Sequence, residues 1–176
     1  MAKVKGLKKI KKVVNEFTQT FGVKAVWNVD FEAHPELMRV GFTIVVDSDL
    51  NSIFLQDCEE RFPEIHTNLF IWLLMHEIGH CMTEGFWSDE DSRYFLATKD
   101  RTSEYFGYFL NENDPEETFE TVQFWVNDIY HAMPDEYLAT NWAGNYMKKH
   151  PKKMAKFAAK INEAIKELCE KNGITP

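Results

Sequence analysis

The segment from His76 to His80 constrains this chain more than any other stretch of its sequence. It reads His-Glu-Ile-Gly-His and follows an apolar run over residues 70–75, which predicts a buried helix. With about 3.6 residues per turn, His80 lies about 40° around such a helix from His76 and one turn further along. Both imidazoles can therefore bind one ion. Glu77 lies about 60° from His80 on the same side, so its carboxylate can reach a water on that ion without binding the ion itself.

The ion that this arrangement favours is zinc. Two neutral imidazoles and one carboxylate are typical ligands of a catalytic Zn²⁺, which keeps a fourth position open for water. The pKa of such a water falls to about 7, so hydroxide forms near neutral pH. The pattern predicts one Zn²⁺ per chain, bound by His76 and His80, with Glu77 as the general base. Cys81 points about 100° away from His80 around the helix, which indicates a packed thiol and not a ligand.

A third protein ligand is needed, and the sequence offers several carboxylates for it. The downstream histidine of the metzincin pattern is absent from this chain. Glu136 is the preferred candidate, because Ala139 and Ala143 follow it at helical spacing. Small side chains beside the carboxylate would let its helix approach the metal helix closely. Asp135 and Glu84 remain open as alternatives.

Charge is strongly segregated along the 176 residues, and the net charge of −8 conceals this. Residues 1–12 carry six Lys and no acid, and residues 148–176 carry eight Lys and three Glu. The intervening residues 13–147 carry six Lys or Arg against 25 acids. Basic ends on an acidic body are compatible with nucleic-acid contact, but two solvated basic helices are the commoner explanation. We therefore do not expect a nucleic-acid partner.

Composition and length favour one globular domain over residues 1–176. A hydrophobic content of 44%, with 14 Phe, excludes a disordered chain. Three cysteines provide no disulfide framework, which favours a reducing compartment. No apolar stretch is long enough for the core of a signal peptide or for a membrane span. The expected location is therefore cytoplasmic, with no membrane partner.

Hydrophobic periodicity predicts an α+β fold. Helices are expected where apolar residues recur at three- and four-residue spacing or follow capping signals: at about 3–21, 65–82, 89–98, from 114, from 134, and at about 151–172. The first and last of these are the basic helices. Strands are expected where β-branched and aromatic residues cluster, at 25–29, 38–46 and 52–55.

The two motifs together resemble the minimal gluzincin peptidases of the ImmA/IrrE type, compact zinc proteins often encoded by phages and mobile elements. In that family an HExxH helix is followed by Glu-x-x-Ala-Asn-x-Phe-Ala. Glu136 and Ala139 match this pattern, whereas Thr140 replaces Asn and Trp142 replaces Phe. The resemblance implies a small zincin-like domain, with a short twisted β-sheet packed on the HExxH helix and several further helices. Residues 84–130 match nothing in the family.

The resemblance implies hydrolysis of peptide bonds in a peptide or protein substrate. Glu77 would take a proton from the zinc-activated water and deliver it to the leaving amine. A second donor is needed for the oxyanion. His131 is the first candidate for this role, and Tyr130, Tyr137 and Tyr146 are alternatives. The rival interpretation is a zinc-bearing regulatory or binding module, such as a repressor partner or virion component. Glu77 argues against it, since zinc binding alone does not need this residue. The sequence leaves the oligomeric state open.

Overall fold

The structure is a computed structural model that describes residues 6–25, 55–56, 58–112 and 124–173. Its longer helices in these ranges are α1 (Leu7–Thr18), α2 (Leu69–Thr83), α3 (Asp89–Glu112), α4 (Pro134–Lys149) and α5 (Pro151–Asn172). Short 3-10 helices follow α1 and α2, at Gln19–Phe21 and Glu84–Phe86, and Trp125–Tyr130 is π-helical. No helix within these ranges is long and apolar enough to cross a membrane.

The predicted α+β fold class is wrong for this part of the chain, where every regular element is helical and no strand occurs. The expected strand at 38–46, and all but the first residue of that at 25–29, lie outside the described residues. Leu55, the last residue of the third expected strand, is helical. The physical reason is that α2 buries its apolar surface against α4 and against Phe62, which directly follows a helical turn and whose ring lies 5.9 Å from that of Trp72.

Side-chain caps determine where α2 and α3 begin. Asn68 accepts a hydrogen bond from the backbone N–H of Ile71 at 2.9 Å, so α2 begins at residue 69 and not at the expected residue 65. Ser88 and Asp91 cap α3 reciprocally, at 3.0 Å and 3.1 Å, which confirms the start predicted for that helix. No proline lies between residues 89 and 112, and α3 continues to residue 112, well beyond the expected end at 98. The helix start expected at residue 114 lies outside the described residues.

The described residues among 1–46 and 146–176 form one compact unit, in which α1 packs along α5. Phe17 stacks on Phe157 with 3.9 Å between ring centroids. At the edge of this contact, Lys9 Nζ lies 2.7 Å from Glu163 and 2.9 Å from Glu167. Both basic helices predicted from the sequence are therefore present in this unit, and part of their positive charge is paired within it.

The described residues among 47–145 form a second compact unit, which contains the HExxH helix α2. Gly79 marks the close approach of α2 to α4: a Cβ built on it would lie 2.9 Å from the carbonyl carbon of Ala139. Gly144 receives the ring of Phe62 in the same way. Small residues thus allow α4 to reach the metal helix, as the Glu136 hypothesis requires. The prediction of a single domain over the whole chain stays a prediction.

The buried side chains of α2 are Ile71, Trp72, Leu74, Met75, His76, Ile78 and Thr83.

Candidate metal centre

The two histidines of α2 present their Nε2 atoms to each other across one helical turn. These atoms of His76 and His80 are 3.1 Å apart, and the two rings are perpendicular with centroids 4.7 Å apart. His76 is buried, because α4 covers it, whereas His80 is half-buried. The four-residue spacing thus brings both ring nitrogens to one point, as a shared metal ion requires.

Glu136 completes a triangle of ligand atoms from the first turn of α4. Its Oε2 lies 2.9 Å from His76 Nε2 and 3.3 Å from His80 Nε2, and the residue is 1% exposed. Ligand bonds of about 2.0–2.1 Å in a tetrahedral zinc site place the ligand atoms about 3.3 Å apart. The edges of the triangle, 2.9 to 3.3 Å, fit a single zinc ion bound by these three residues.

The histidines keep Glu136 ionised despite its burial. Burial favours the neutral acid, but hydrogen bonds with His76 and His80 hold the pKa of Glu136 well below its usual range. Burial likewise lowers the pKa of His80, yet its contact with Glu136 outweighs burial and leaves that pKa raised. A buried carboxylate that faces two imidazoles favours a cation between the three groups, either a proton or a metal ion.

Thr140, one turn after Glu136 on α4, orients the ring of His76. Nδ1 of His76 lies 3.0 Å from Oγ1 of Thr140, whose exposed fraction is 0%. When Nδ1 carries the proton and donates it to this hydroxyl, the lone pair of Nε2 points at the Glu136 carboxylate. Two hydrogen-bond acceptors 2.9 Å apart repel each other unless a cation lies between them. The donor set therefore fits a metal ion.

Glu77 lies beside the histidines with a carboxylate oxygen that no described residue uses. The candidate ligand atoms of His76, Glu77 and His80 all lie within 4.8 Å of one another. Oε1 of Glu77 is buried and lacks a hydrogen-bond partner among the described residues. Burial raises the pKa of Glu77 above its ordinary value, although the two imidazoles act in the opposite direction. A carboxylate with a raised pKa at this position is suited to accept a proton from water.

Lys99 of α3 contacts the other oxygen of Glu136. Its Nζ lies 2.5 Å from Glu136 Oε1 and 2.7 Å from Asp135 Oδ2. Burial lowers the pKa of Lys99, but the two carboxylates outweigh it and leave the pKa raised, so the side chain is an ammonium group. Asp135, an alternative third ligand, thus gives one oxygen to Lys99. It also lies close enough to His80 and Glu136 to form a second possible metal-binding group with them.

Tyr130 and His131 lie next to the ligands in the segment that leads into α4. The His131 ring is perpendicular to that of His76 at 6.5 Å. Burial, together with electrostatic interactions with His76 and Arg61, lowers the pKa of His131 to about 3, so its ring is neutral at pH 7. Burial and the charge of Glu136 raise the pKa of Tyr130 well above its usual range. The structure therefore brings two neutral proton donors, the imidazole N–H and the phenol, close to the site.

The remaining candidates are placed differently. Glu84, the other alternative third ligand, is exposed after the end of α2, and Tyr137 is 50% exposed. Tyr146 belongs to the other compact unit, where its hydroxyl accepts a hydrogen bond from Lys153 at 2.8 Å. Cys81, which we expected to be a packed thiol, is exposed.

Sequence reasoning identifies Thr140 only as a departure from the family pattern, and it does not find Lys99. Thr140 stands where the family pattern has Asn, and its four-residue spacing from Glu136 is the signal that places both on one face of a helix. Lys99 carries no comparable signal, because it is a lysine on a polar stretch of another helix. Only the packing of α3 near α4 shows its role.

Comparison of the chain with models of known protein families gives no match, and no curated protein or solved structure matches it either. The resemblance to ImmA/IrrE-type peptidases therefore rests on the two sequence motifs. The triangle of ligand atoms does not depend on that resemblance.

Proposed function

We propose that this protein is a zinc-dependent metallopeptidase that binds one Zn²⁺ through His76, His80 and Glu136. The observation that carries the proposal is the convergence of three ligand atoms, each within 3.3 Å of the other two. Beside them lies a buried oxygen of Glu77 that no described residue uses. Zinc binding does not need this additional carboxylate, whereas hydrolysis needs a base.

The residues around the triangle supply the remaining chemistry of peptide hydrolysis. Bound zinc contributes Lewis-acid activation of a water and of the scissile carbonyl. Glu77 accepts the proton of the attacking water and delivers it to the leaving amine, and its raised pKa suits a group that must take and then release a proton. His131 donates a hydrogen bond to the charge that develops on the carbonyl oxygen, with Tyr130 as the alternative donor.

We infer that the substrate is a peptide or protein and that the protein works in the cytoplasm. Cys58, Cys81 and Cys169 are all free thiols, as is usual in a reducing compartment. A peptide substrate is extended and polar, so it reaches the site from solvent. His80 is only half-buried, and the substrate carbonyl can therefore approach the triangle from the His80 side.

The decisive experiment replaces Glu77 by Gln, which is nearly the same size but cannot accept the proton. We expect Glu77→Gln to keep one equivalent of zinc and to cleave a peptide library about 10²–10⁴-fold more slowly. Glu84→Gln is the matched control, because Glu84 is an exposed acid shortly after the same helix, and its turnover should not change. Zinc content is measured by mass spectrometry of the metal and cleavage by mass spectrometry of the peptides.

The other outcomes are equally informative. Unchanged turnover in Glu77→Gln removes this residue from the mechanism. Stoichiometric zinc without cleavage by the wild type supports the alternative of a regulatory or binding module. Loss of zinc in Asp135→Ala or Glu84→Ala, with full affinity in Glu136→Ala, shows that the third ligand is assigned wrongly.

A further inference from the structure

The two carboxylate oxygens of Glu136 face different partners, and Lys99 is one of them. Oε2 faces both imidazoles, at 2.9 Å from His76 and 3.3 Å from His80, whereas Oε1 lies 2.5 Å from the Lys99 ammonium. Asp135 contacts the same ammonium at 2.7 Å, so two carboxylates of the first turn of α4 hold it in place. The Lys99 side chain is only 20% exposed, which limits the competition from water for these contacts.

A metal-bound carboxylate can bind through one oxygen or through both. An ammonium group at hydrogen-bond distance from Oε1 occupies one of the two lone pairs of this oxygen and so competes with a metal ion for it. Its positive charge also repels a cation on that side. With Lys99 in place, Oε2 is the oxygen of Glu136 that faces His76 and His80, and additional binding of a shared ion through Oε1 is disfavoured.

We propose that Lys99 is a positioning residue that holds Glu136 as a one-oxygen metal ligand, so that a coordination position stays open for water and substrate. This inference rests on the zinc site of the proposed function. Asp135 has a matching role as the second anchor of the Lys99 ammonium. Lys99 itself does not touch the reacting atoms.

The test is the Lys99→Met variant, which keeps an unbranched side chain and removes the charge. We expect it to bind one equivalent of zinc, since all three ligands are intact. In the Co²⁺-substituted protein, the visible absorption bands should weaken as Glu136 binds through both oxygens and the coordination number rises. In the zinc protein, kcat should fall about 10–100-fold with a much smaller change in KM.

Two further variants control for charge and for position. Lys99→Arg keeps a cation at this place and should retain the wild-type cobalt spectrum. Arg101→Met removes an exposed positive charge from the same helix and should change neither spectrum nor turnover. If Lys99→Met does not fold by circular dichroism, Asp135→Asn carries the test. Asp135→Asn leaves Glu136 as the one carboxylate partner of the Lys99 ammonium. Its cobalt spectrum is therefore expected to lie between those of the wild type and a variant without the charge.

A wild-type cobalt spectrum and unchanged kcat in Lys99→Met, or an unchanged spectrum in Asp135→Asn where that variant is used, would overturn the inference. Loss of zinc from a folded Lys99→Met would also overturn it, because Lys99 would then act on affinity and not on the binding mode. These results differ from failure of the proposed function, in which the wild-type protein itself binds no zinc or shows no Glu77-dependent cleavage.

Discussion

Gly79 of α2 lies directly against Ala139 of α4. A Cβ built on Gly79 would lie 2.9 Å from the carbonyl carbon and 3.0 Å from the Cα of Ala139. Backbone atoms cannot move aside as the end of a flexible side chain can, so the two helices can approach this closely only with glycine at position 79. Gly79 immediately precedes His80, and Ala139 follows Glu136 by three residues. The distance between the two backbones therefore sets the distance between the histidines and the glutamate.

The first prediction follows from this contact. Gly79→Ala should force α2 and α4 apart, with a loss of about 1–3 kcal/mol in the free energy of unfolding, as is typical of overpacking. Zinc affinity should fall about 10–100-fold, as for other changes to groups that orient metal ligands. Gly85→Ala is the matched control, because a Cβ there meets no atom within 4 Å. Urea denaturation and competition with a chelator measure both effects, and equal behaviour of the two variants would contradict the prediction.

The second prediction concerns the hydroxyl that orients His76. Thr140→Val keeps the shape of the side chain but removes the partner of His76 Nδ1, which lies 3.0 Å from Oγ1. We expect about 10–100-fold weaker zinc binding. Thr140→Ser retains a hydroxyl and should stay close to the wild type. Chelator competition at neutral pH measures zinc affinity in both variants. Equal affinity of Thr140→Val and Thr140→Ser would contradict the role of the hydroxyl.

The third prediction concerns the stability of the metal-free protein. Burial raises the pKa of Glu77 above its value in the unfolded chain, so the folded state binds this proton more tightly. Such a group contributes stability below its unfolded pKa and loses that contribution as the pH rises through its folded pKa. Glu77→Gln cannot become charged, so its advantage in Tm over the wild type should grow as the pH rises from the unfolded pKa of about 4.3 through the raised folded pKa. Thermal denaturation with a chelator present measures this.

For a chain of this length, each kcal/mol corresponds to about 2–4 °C in Tm. An offset between Glu77→Gln and the wild type that is the same at every pH would mean that folding does not shift the pKa of Glu77.

The fourth prediction concerns charge selectivity. Residues 47–145, the unit that contains the candidate ligands, carry 21 acids and four Lys or Arg. A negative field concentrates basic peptides, and screening shortens its reach to about 8 Å at physiological ionic strength. Peptides with Lys or Arg near the scissile bond should be cleaved faster than matched acidic peptides, with the ratio of kcat/KM decreasing as salt is added. Equal rates at low salt would leave the shape of the cleft as the source of selectivity.

Parts of this site can be predicted from the sequence because they depend on one helix. The relation of His76 to His80 follows from backbone periodicity, and the same is true of Glu136 and the alanines that follow it. The fold class could not be predicted in the same way. The apolar sequence of α2 predicts that this helix is buried. It does not indicate whether a sheet or other helices pack against it. Lys99 could not be predicted for a related reason. Its contact with Glu136 joins two helices, and no local sequence pattern indicates how these helices pack.

The imidazole ring of His76 is contacted at both ends by α4, by Thr140 at Nδ1 and by Glu136 at Nε2, which lie 64 and 60 residues away in the chain. The site is therefore complete only while α4 is docked, so zinc bound there would link metal binding to the folding of this unit. A ligand that binds the folded state alone, at a free concentration 100 times its Kd, stabilises that state by about 2.7 kcal/mol. We expect a fall in available zinc to release α4 and expose it to cellular proteases, so the metal would govern how long each molecule survives as well as whether it is active.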